Sequence, residues 1–166
     1  MSKKMVFLFV GFFIFALYLI IMPFFTKTKT TYKYQLSIGN LKQIGLGLLM
    51  YAEDHNDVFP DDLEQTEEYL GSFKYDFFQS RLKPKDFNGP TFIYISGHSF
   101  KDAESKEKYI IFYENPKYLS GYEREKIPVL YLEGYVERLK KEKFLSELRK
   151  TYGHIGKPMP EIKFKD

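Results

Sequence analysis

The chain has 166 residues, with 25 basic and 22 acidic side chains, three histidines and no cysteine. Its net charge of +3 comes from a near balance of signs without a run of like charges, so the sequence lacks the clustered basic face typical of nucleic-acid-binding proteins. The lack of cysteine excludes disulfides, thiolate metal sites and a cysteine nucleophile.

The first predicted element is an apolar run of 21 residues, Met5 to Phe25, in which no residue is charged. As a helix it would be about 31 Å long, close to the ~30 Å hydrocarbon core of a bilayer. We therefore predict a transmembrane anchor over residues 1–25 and one extracytoplasmic domain over residues 26–166. A cleaved signal peptide is disfavoured by the length of the run and the lack of a small-residue cleavage site. An apolar core helix of a soluble domain would keep a polar stripe.

The orientation of the anchor is predicted from its flanks. Lys3 and Lys4 precede the run, whereas Lys27, Lys29 and Lys33 follow it, so the positive charges are nearly balanced. Because the N-terminal tail is short, we expect it to stay inside and the C-terminal domain to lie outside the cytoplasmic membrane.

The next predicted element is an amphipathic helix between Tyr34 and His55. Its apolar residues recur at three- and four-residue spacing and form one face: Leu41, Ile44, Leu48, Tyr51 and Ala52. Gly45 and Gly47 lie in this segment, and each costs about 1 kcal/mol relative to alanine in a helix interior. We therefore expect either close packing of another element against the helix at these glycines or a local bend.

The acidic segment Asp54–Asp62 is predicted to end the helix in a turn. It does not fit a calcium-binding EF-hand loop, because Val58 stands where an oxygen ligand is needed. Asp61 is predicted to cap a short following helix through Leu70, with Glu64 as its reciprocal partner.

Residues 73–87 are predicted to be irregular, with Phe77, Phe78 and Leu82 contributing to the core. Beyond the turn at residues 88–90 the hydrophobic period changes to that of strands. The predicted strands are Thr91–Ser96, Lys108–Glu114, Ile127–Leu132 and Tyr135–Leu139.

Three connections complete the prediction. The polar stretch Phe100–Glu107 is predicted to be a loop, and Glu133 and Gly134 to form a two-residue hairpin loop. A last helix is predicted over Lys141–Tyr152, stopped by Gly153 and followed by an extended tail.

The expected fold class is α+β: a long N-terminal helix, transmembrane in its first half and amphipathic in its second, packs on a small antiparallel sheet with a C-terminal helix.

Residues 40–63, NLKQIGLGLLMYAEDHNDVFPDDL, resemble the helix-to-loop signature of type IV pilin-like proteins, in particular pseudopilins similar to the major pseudopilin of type II secretion. The matching positions are Asn40, Leu41, Lys42, Gln43, Ile44, Gly45, Phe59 and Pro60. In residues 130–137, Glu133 and Gly134 stand at the Asp-Gly position of a hairpin motif found in relatives of that family. The resemblance covers about residues 36–140 and implies a long helix whose second half packs on an antiparallel sheet.

The chain departs from this family at the site of processing. Members that assemble carry a glycine at which the leader peptidase cuts and a glutamate at the fifth mature position. Gly11 is the available glycine, and Ala16 stands where the glutamate is expected. Near the hairpin, Tyr135 replaces a histidine and Tyr118 fills the position of the upstream one. The resemblance therefore implies a relative that kept the fold and lost the processing site.

From the sequence we nominate no catalytic, cofactor-binding or metal-binding residue. His55, His98 and His154 form no pair with the spacing of metal ligands on one helix. His98 and Asp102 would suit a base and its orienting carboxylate, but the surrounding segment fits a polar turn. Glu133 and Glu137 fit solvated residues of a hairpin better than paired catalytic carboxylates.

These features predict a non-enzymatic, single-pass membrane protein that acts through protein–protein contacts in an envelope, secretion or pilus-like assembly. We expect contact with the membrane and with other pilin-like or envelope subunits, at the anchor and at the apolar face around Gly45 and Gly47. Two alternatives stay open. One is a membrane-anchored module that binds a small ligand or glycan through Tyr118, Tyr122 and Tyr135, and the other is an envelope hydrolase.

Overall fold

The computed structural model describes residues 3–70, 78–103, 108–119 and 125–165, and the side chains of all these residues except 3–10, 23–30 and 103. The class is α+β, as predicted. The helices are α1 (Lys3–Asp54), a 3₁₀-helix (Leu63–Thr66) continued by α2 (Glu67–Leu70), α3 (Phe100–Ala103) and α4 (Lys141–His154). The strands are β1 (Phe92–Tyr94), β2 (Ile110–Glu114), β3 (Ile127–Tyr131) and β4 (Val136–Leu139).

The four strands form one antiparallel sheet in chain order, β1-β2-β3-β4. One row of paired residues crosses the whole sheet: Ile93 pairs with Tyr113, Tyr113 with Val129, and Val129 with Glu137. The register shifts between Ile110 and Phe112, where the β2–β3 ladder is irregular. Each strand lies within two residues of its predicted bounds, because the apolar runs were bounded by clear turn residues.

The inner face of α1 covers one side of the sheet, and the cluster there includes Leu41, Ile44, Leu48, Ile111, Phe112 and Leu130. Gly45 and Gly47 allow a close approach. A Cβ atom at Gly45 would lie 2.9 Å from Leu130 Cδ1, and one at Gly47 would lie 2.5 Å from Leu70 Cδ2. The prediction of close packing at these glycines is confirmed.

The opposite side of the sheet is covered by α4 and the C-terminal tail. Phe144 and Leu148 of α4 are completely buried there, in a cluster with Tyr113, Val129 and Leu139. Met159, Ile162 and Phe164 of the tail pack against the same cluster. The sheet is therefore the middle layer of three.

The β3–β4 connection is a three-residue loop, so the predicted two-residue loop is wrong. The Tyr131 N–H donates to Tyr135 O (3.0 Å), and the Gly134 N–H donates to Tyr131 O (2.9 Å). Gly134 has a φ of +85°, in the left-handed region that closes three-residue hairpins. Leu132, predicted as the last residue of β3, is therefore the first residue of the loop. The reason is that the left-handed Gly134 has to occupy the third position of a three-residue hairpin loop.

The cap of the 3₁₀-helix is Asp62 and not the predicted Asp61. Asp62 Oδ1 accepts from the Glu64 N–H at 3.0 Å, and Gln65 Oε1 accepts from the Asp62 N–H at 3.1 Å. Gln65 therefore takes the reciprocal role predicted for Glu64. Adjacent acidic residues made both registers possible in the sequence.

The predicted stop of the last helix at Gly153 is also wrong, because α4 continues to His154. The Lys157 N–H donates to Tyr152 O (3.0 Å), and the Gly156 N–H donates to Gly153 O (3.3 Å). This is a Schellman ending, in which Gly156 (φ +66°) takes the left-handed conformation.

Two other predicted segments differ or lie partly outside the described residues. The stretch predicted as a loop, Phe100–Glu107, begins with the short helix α3, and residues 104–107 are outside the described part. Of the predicted core residues, Leu82 is buried and Phe78 packs against the α1 side of the sheet, whereas Phe77 is outside the described residues.

We predict that Gly134→Ala lowers the free energy of unfolding by more than about 1 kcal/mol. The alanine would have to hold a positive φ, and its Cβ would lie 2.7 Å from Leu49 Cδ1 of α1. Chemical denaturation followed by circular dichroism measures the change. Gly153→Ala is the matched control: no atom lies within 4 Å of its added Cβ, so it should stabilise α4 by up to about 1 kcal/mol. Equal stability of the two variants would contradict this account of the hairpin.

Candidate functional site

The first candidate surface is the N-terminal part of α1. Between residues 11 and 22 every described side chain is exposed except the half-buried Ala16, and Phe12 and Phe13 are 72% and 71% exposed. The exposed residues are apolar on all sides of the helix, which is not the pattern of a surface helix of a globular protein. In the described part of the chain, no helix is long and apolar enough to span a membrane.

The second candidate surface lies on α1 beside the packed body. Tyr32, Leu36, Leu46 and Met50 are exposed there, with Leu46 at 54% and Met50 at 43%. At 3.6 residues per turn these four positions fall within about 80° of the helix circumference. We call this set the outer stripe. It lies opposite the buried face of α1, and no other element of the described chain covers it.

The apolar face around Gly45 and Gly47, predicted as a contact surface for a partner, lies inside the chain itself. Both glycines are buried, and their neighbours are Leu130 of β3 and Leu70 of α2. The two glycines predicted close contact with another element, and that element belongs to the same chain. This face is therefore not available to a partner.

The family-motif positions gather around the contact between α1 and the sheet. Leu41, Ile44, Gly45, Phe59 and Pro60 are buried, whereas Lys42, Gln43 and Glu133 are exposed. Asn40 Nδ2 donates to Gln79 O at 3.2 Å, and Gly134 lies at the hairpin tip against Leu49. Most of these positions act in packing, so the motif describes how α1 joins the body.

A buried carboxylate that the sequence did not single out lies at the other end of this contact. Glu114 is completely buried at the end of β2, with its side chain among hydroxyl groups from separate segments. The Ser37 hydroxyl of α1 donates to Glu114 Oε2 at 3.2 Å, and the Tyr118 hydroxyl donates to Oε1 at 2.6 Å. The Ser80 hydroxyl also donates to Oε1. The network joins α1, the segment before β1, and β2.

Tyr118, predicted as a possible ligand-binding residue, belongs to this buried network. Its ring is 2% exposed, and burial together with the neighbouring Glu114 raises the pKa of Tyr118 far above its usual range. Tyr135 is half-buried, and Tyr122 is outside the described residues. Tyr118 therefore cannot be part of an exposed aromatic surface that binds a glycan.

A third candidate is a cluster of His98, Asp102 and His154. His154 Nε2, at the end of α4, lies 3.0 Å from Asp102 Oδ1 on α3. His98 Nδ1 lies 3.7 Å from Asp102 Oδ2, too far for a hydrogen bond. Asp102 Oδ2 instead accepts from the Ser99 N–H at 2.7 Å. Among the described residues, neither ring nitrogen of His98 has a hydrogen-bond partner.

This geometry removes the main support for the hydrolase alternative, which needs His98 hydrogen-bonded to a carboxylate or hydroxyl. The structure also places His154 beside His98, a pairing that the spacing of the two residues in the sequence does not indicate. The two histidines are far apart along the chain, and only the docking of the α4 end against the loop after β1 brings them together. No local pattern in the sequence signals this.

The charges of the cluster follow from its burial. Removal from water lowers the pKa of His98 to about 4, with the neighbouring His154 and Lys157 acting in the same direction and Asp102 opposing them. His98 is therefore neutral at pH 7. Partial burial of Asp102 favours its neutral form, but hydrogen bonds from the Ser99 N–H and from His154 hold the pKa of Asp102 below its ordinary value.

In comparisons with protein-family models, curated proteins and solved structures, none matches this chain.

We predict that Glu114→Met lowers the free energy of unfolding by about 1–3 kcal/mol. Methionine has a similar length but accepts no strong hydrogen bond, so the hydroxyls around it lose their shared acceptor. Urea denaturation of the full chain measures the loss. The same substitution at the exposed Glu133 should change stability by less than about 0.5 kcal/mol. A Glu114→Met variant as stable as Glu133→Met would show that the buried network does not hold the fold.

Proposed function

We propose that this chain is a non-enzymatic, single-pass membrane protein that acts through α1 in an envelope, secretion or pilus-like assembly. The observation that carries the proposal is a helix that is apolar and exposed on all sides over residues 11–22 and continues without a break into a packed α+β body. The body supplies contacts and, by this proposal, catalyses no reaction.

The membrane anchor is the first part of the proposal. In the sequence, the exposed segment is the middle of the uncharged run from Met5 to Phe25, which as a helix matches the ~30 Å hydrocarbon core of a bilayer. Exposed apolar surface is unfavourable in water by about 25 cal/mol per Å². Lipid covers a helix on all sides at once, whereas a partner groove covers one side. By this proposal, Lys3 and Lys4 lie on the inner side of the cytoplasmic membrane and the body lies outside it.

The partner is the second part of the proposal. The outer stripe adds exposed apolar residues on α1 beyond the anchor, although Gly39 and the exposed Gln43 lie between Leu36 and Leu46 in the same sector. Ile14, Tyr18 and Ile21 fall on the same side of the helix at 3.6 residues per turn. A narrow apolar stripe on a long helix suits the stripe of another helix. We propose that α1 of this chain packs along the equivalent helix of other pilin-like or envelope subunits, as the resemblance in residues 40–63 implies.

A charge in the middle of the anchor tests the first part. We expect Leu17→Arg to move a large fraction of the protein out of the membrane pellet after an alkaline wash, because arginine at a helix centre costs about 2.5–3.5 kcal/mol in bilayer insertion. Quantitative immunoblotting of pellet and supernatant measures the distribution. Gln35→Arg adds the same charge at an exposed position of α1 outside the run and should leave the protein in the pellet. A wild-type chain found in the supernatant would refute the anchor.

Single cysteines test the second part, because the natural chain has none. We expect Met50→Cys in the outer stripe to form disulfide-linked dimers, or adducts to a cysteine-bearing subunit, when isolated membranes are mildly oxidised. Non-reducing gel electrophoresis with mass spectrometry identifies the products. Ser146→Cys, exposed on α4 across the body, should stay largely monomeric. Equal yields from both positions would mean that collisions, not a helix interface, produce the cross-links.

A further inference from the structure

The cluster of His98, Asp102 and His154 has the donor atoms of a metal site. One potential ligand atom from each residue lies within 4.8 Å of the other two. Zinc bonds nitrogen and carboxylate oxygen at about 2.0–2.2 Å, which places tetrahedral ligand atoms about 3.3 Å apart. The two separations from the Asp102 carboxylate lie on either side of that value: 3.0 Å from Oδ1 to His154 Nε2 and 3.7 Å from Oδ2 to His98 Nδ1.

The burial of His98 distinguishes this cluster from an ordinary surface ion pair. His98 is 2% exposed, and among the described residues neither of its ring nitrogens has a hydrogen-bond partner. Buried polar groups are nearly always paired, because removal from water without a partner is costly. A metal ion bound to His98 would supply the partner that the described chain does not.

The three residues are held in place by the fold. Asp102 Oδ2 accepts from the Ser99 N–H, which orients the carboxylate in the way that outer-shell bonds orient metal ligands. Tyr109 stacks on His154 with ring centroids 4.1 Å apart. Lys157, whose backbone N–H is part of the Schellman ending of α4, donates from Nζ to Ser96 O at 3.0 Å and so ties the α4 end to the loop that carries His98.

We infer that His98, Asp102 and His154 bind a divalent transition-metal ion, with Zn²⁺ the best match to two imidazoles and one carboxylate. Ca²⁺ and Mg²⁺ require oxygen ligands and do not suit this set. The side chains of His154 and Asp102 are 33% and 21% exposed, so the ion enters from solvent on their side and keeps a water molecule there. The inference does not depend on the proposed function of α1.

The bound ion would connect three separate segments. His98 follows β1, Asp102 lies on α3, and His154 ends α4. Because the unfolded chain does not hold these residues together, the binding free energy adds to the stability of the fold. We therefore expect Zn²⁺ to raise the unfolding temperature as well as to bind.

The test uses the full chain in mild detergent, stripped of metal with a chelator that is then removed. We expect isothermal titration calorimetry with ZnCl₂ to give one bound ion per chain, and thermal unfolding to shift upward with Zn²⁺ concentration. His154→Gln, at a partly exposed position, should weaken Zn²⁺ affinity at least about tenfold. His55→Gln is the matched control, since His55 directly follows α1, with its Nδ1 2.8 Å from Tyr51 O and its ring stacked on Tyr51.

Two further readouts keep the inference falsifiable. Co²⁺ added in place of Zn²⁺ should give visible absorption of a four- or five-coordinate ion, and His98→Gln should remove it even if the variant is less stable. Absence of Zn²⁺ binding in the wild-type chain would overturn the inference and leave a metal-free contact between His154 and Asp102. Equal affinities of His154→Gln and His55→Gln would also overturn it, because the ion would then lie elsewhere.

Discussion

The burial of one carboxylate constrains how the long helix meets the sheet. Moving an isolated charged carboxylate out of water costs several kcal/mol, so Glu114 is tolerated only where donors converge on it. Those donors come from Ser37 of α1, Ser80 and Tyr118. If α1 slid or rotated on the sheet, Ser37 would leave the carboxylate. The helix therefore has one favourable register on the body.

The glycine contacts add a second constraint of a different kind. Gly45 lies against Leu130 and Gly47 against Leu70, where a larger side chain would force the helix away. Hydrogen bonding at Glu114 and steric fit at the glycines thus act at separate places along the same inner face of α1. With that face committed, the exposed apolar surface among the described side chains of α1 comprises mainly residues 11–22 and the outer stripe. The division of α1 into an inner and an outer face is the structural basis for assigning its contacts.

Much of the fold could be predicted from the sequence, because it is encoded by local periodicity. The predicted strands and the amphipathic segment after Tyr34 each have regularly spaced apolar residues, and these residues form the core. Two of the errors came from nearby residues of similar chemistry: Asp61 and Asp62 both suit a cap, and Gly153 and Gly156 both suit a helix end. Only the wider packing decides between such neighbours.

The buried groups could not be predicted, for a physical reason. Glu114 ends a run of apolar and aromatic strand residues, where a charged side chain is normally exposed. Its burial depends on hydroxyls that come from distant parts of the chain. His98 and His154 likewise meet only after α4 has docked on the sheet. Both sites are long-range arrangements of single residues, and a period of two or 3.6 residues carries no information about them.

The sheet also limits how the molecule can associate. Its two edge strands are short, three residues in β1 and four in β4, and β4 presents the charged Glu137 and Arg138. Lys143 of α4 bonds Glu137 at 2.8 Å and adds a lysine beside that edge. Short, charged edges are poor templates for an added strand. Crowding of many copies is therefore not expected to lead to cross-β polymerisation through this sheet.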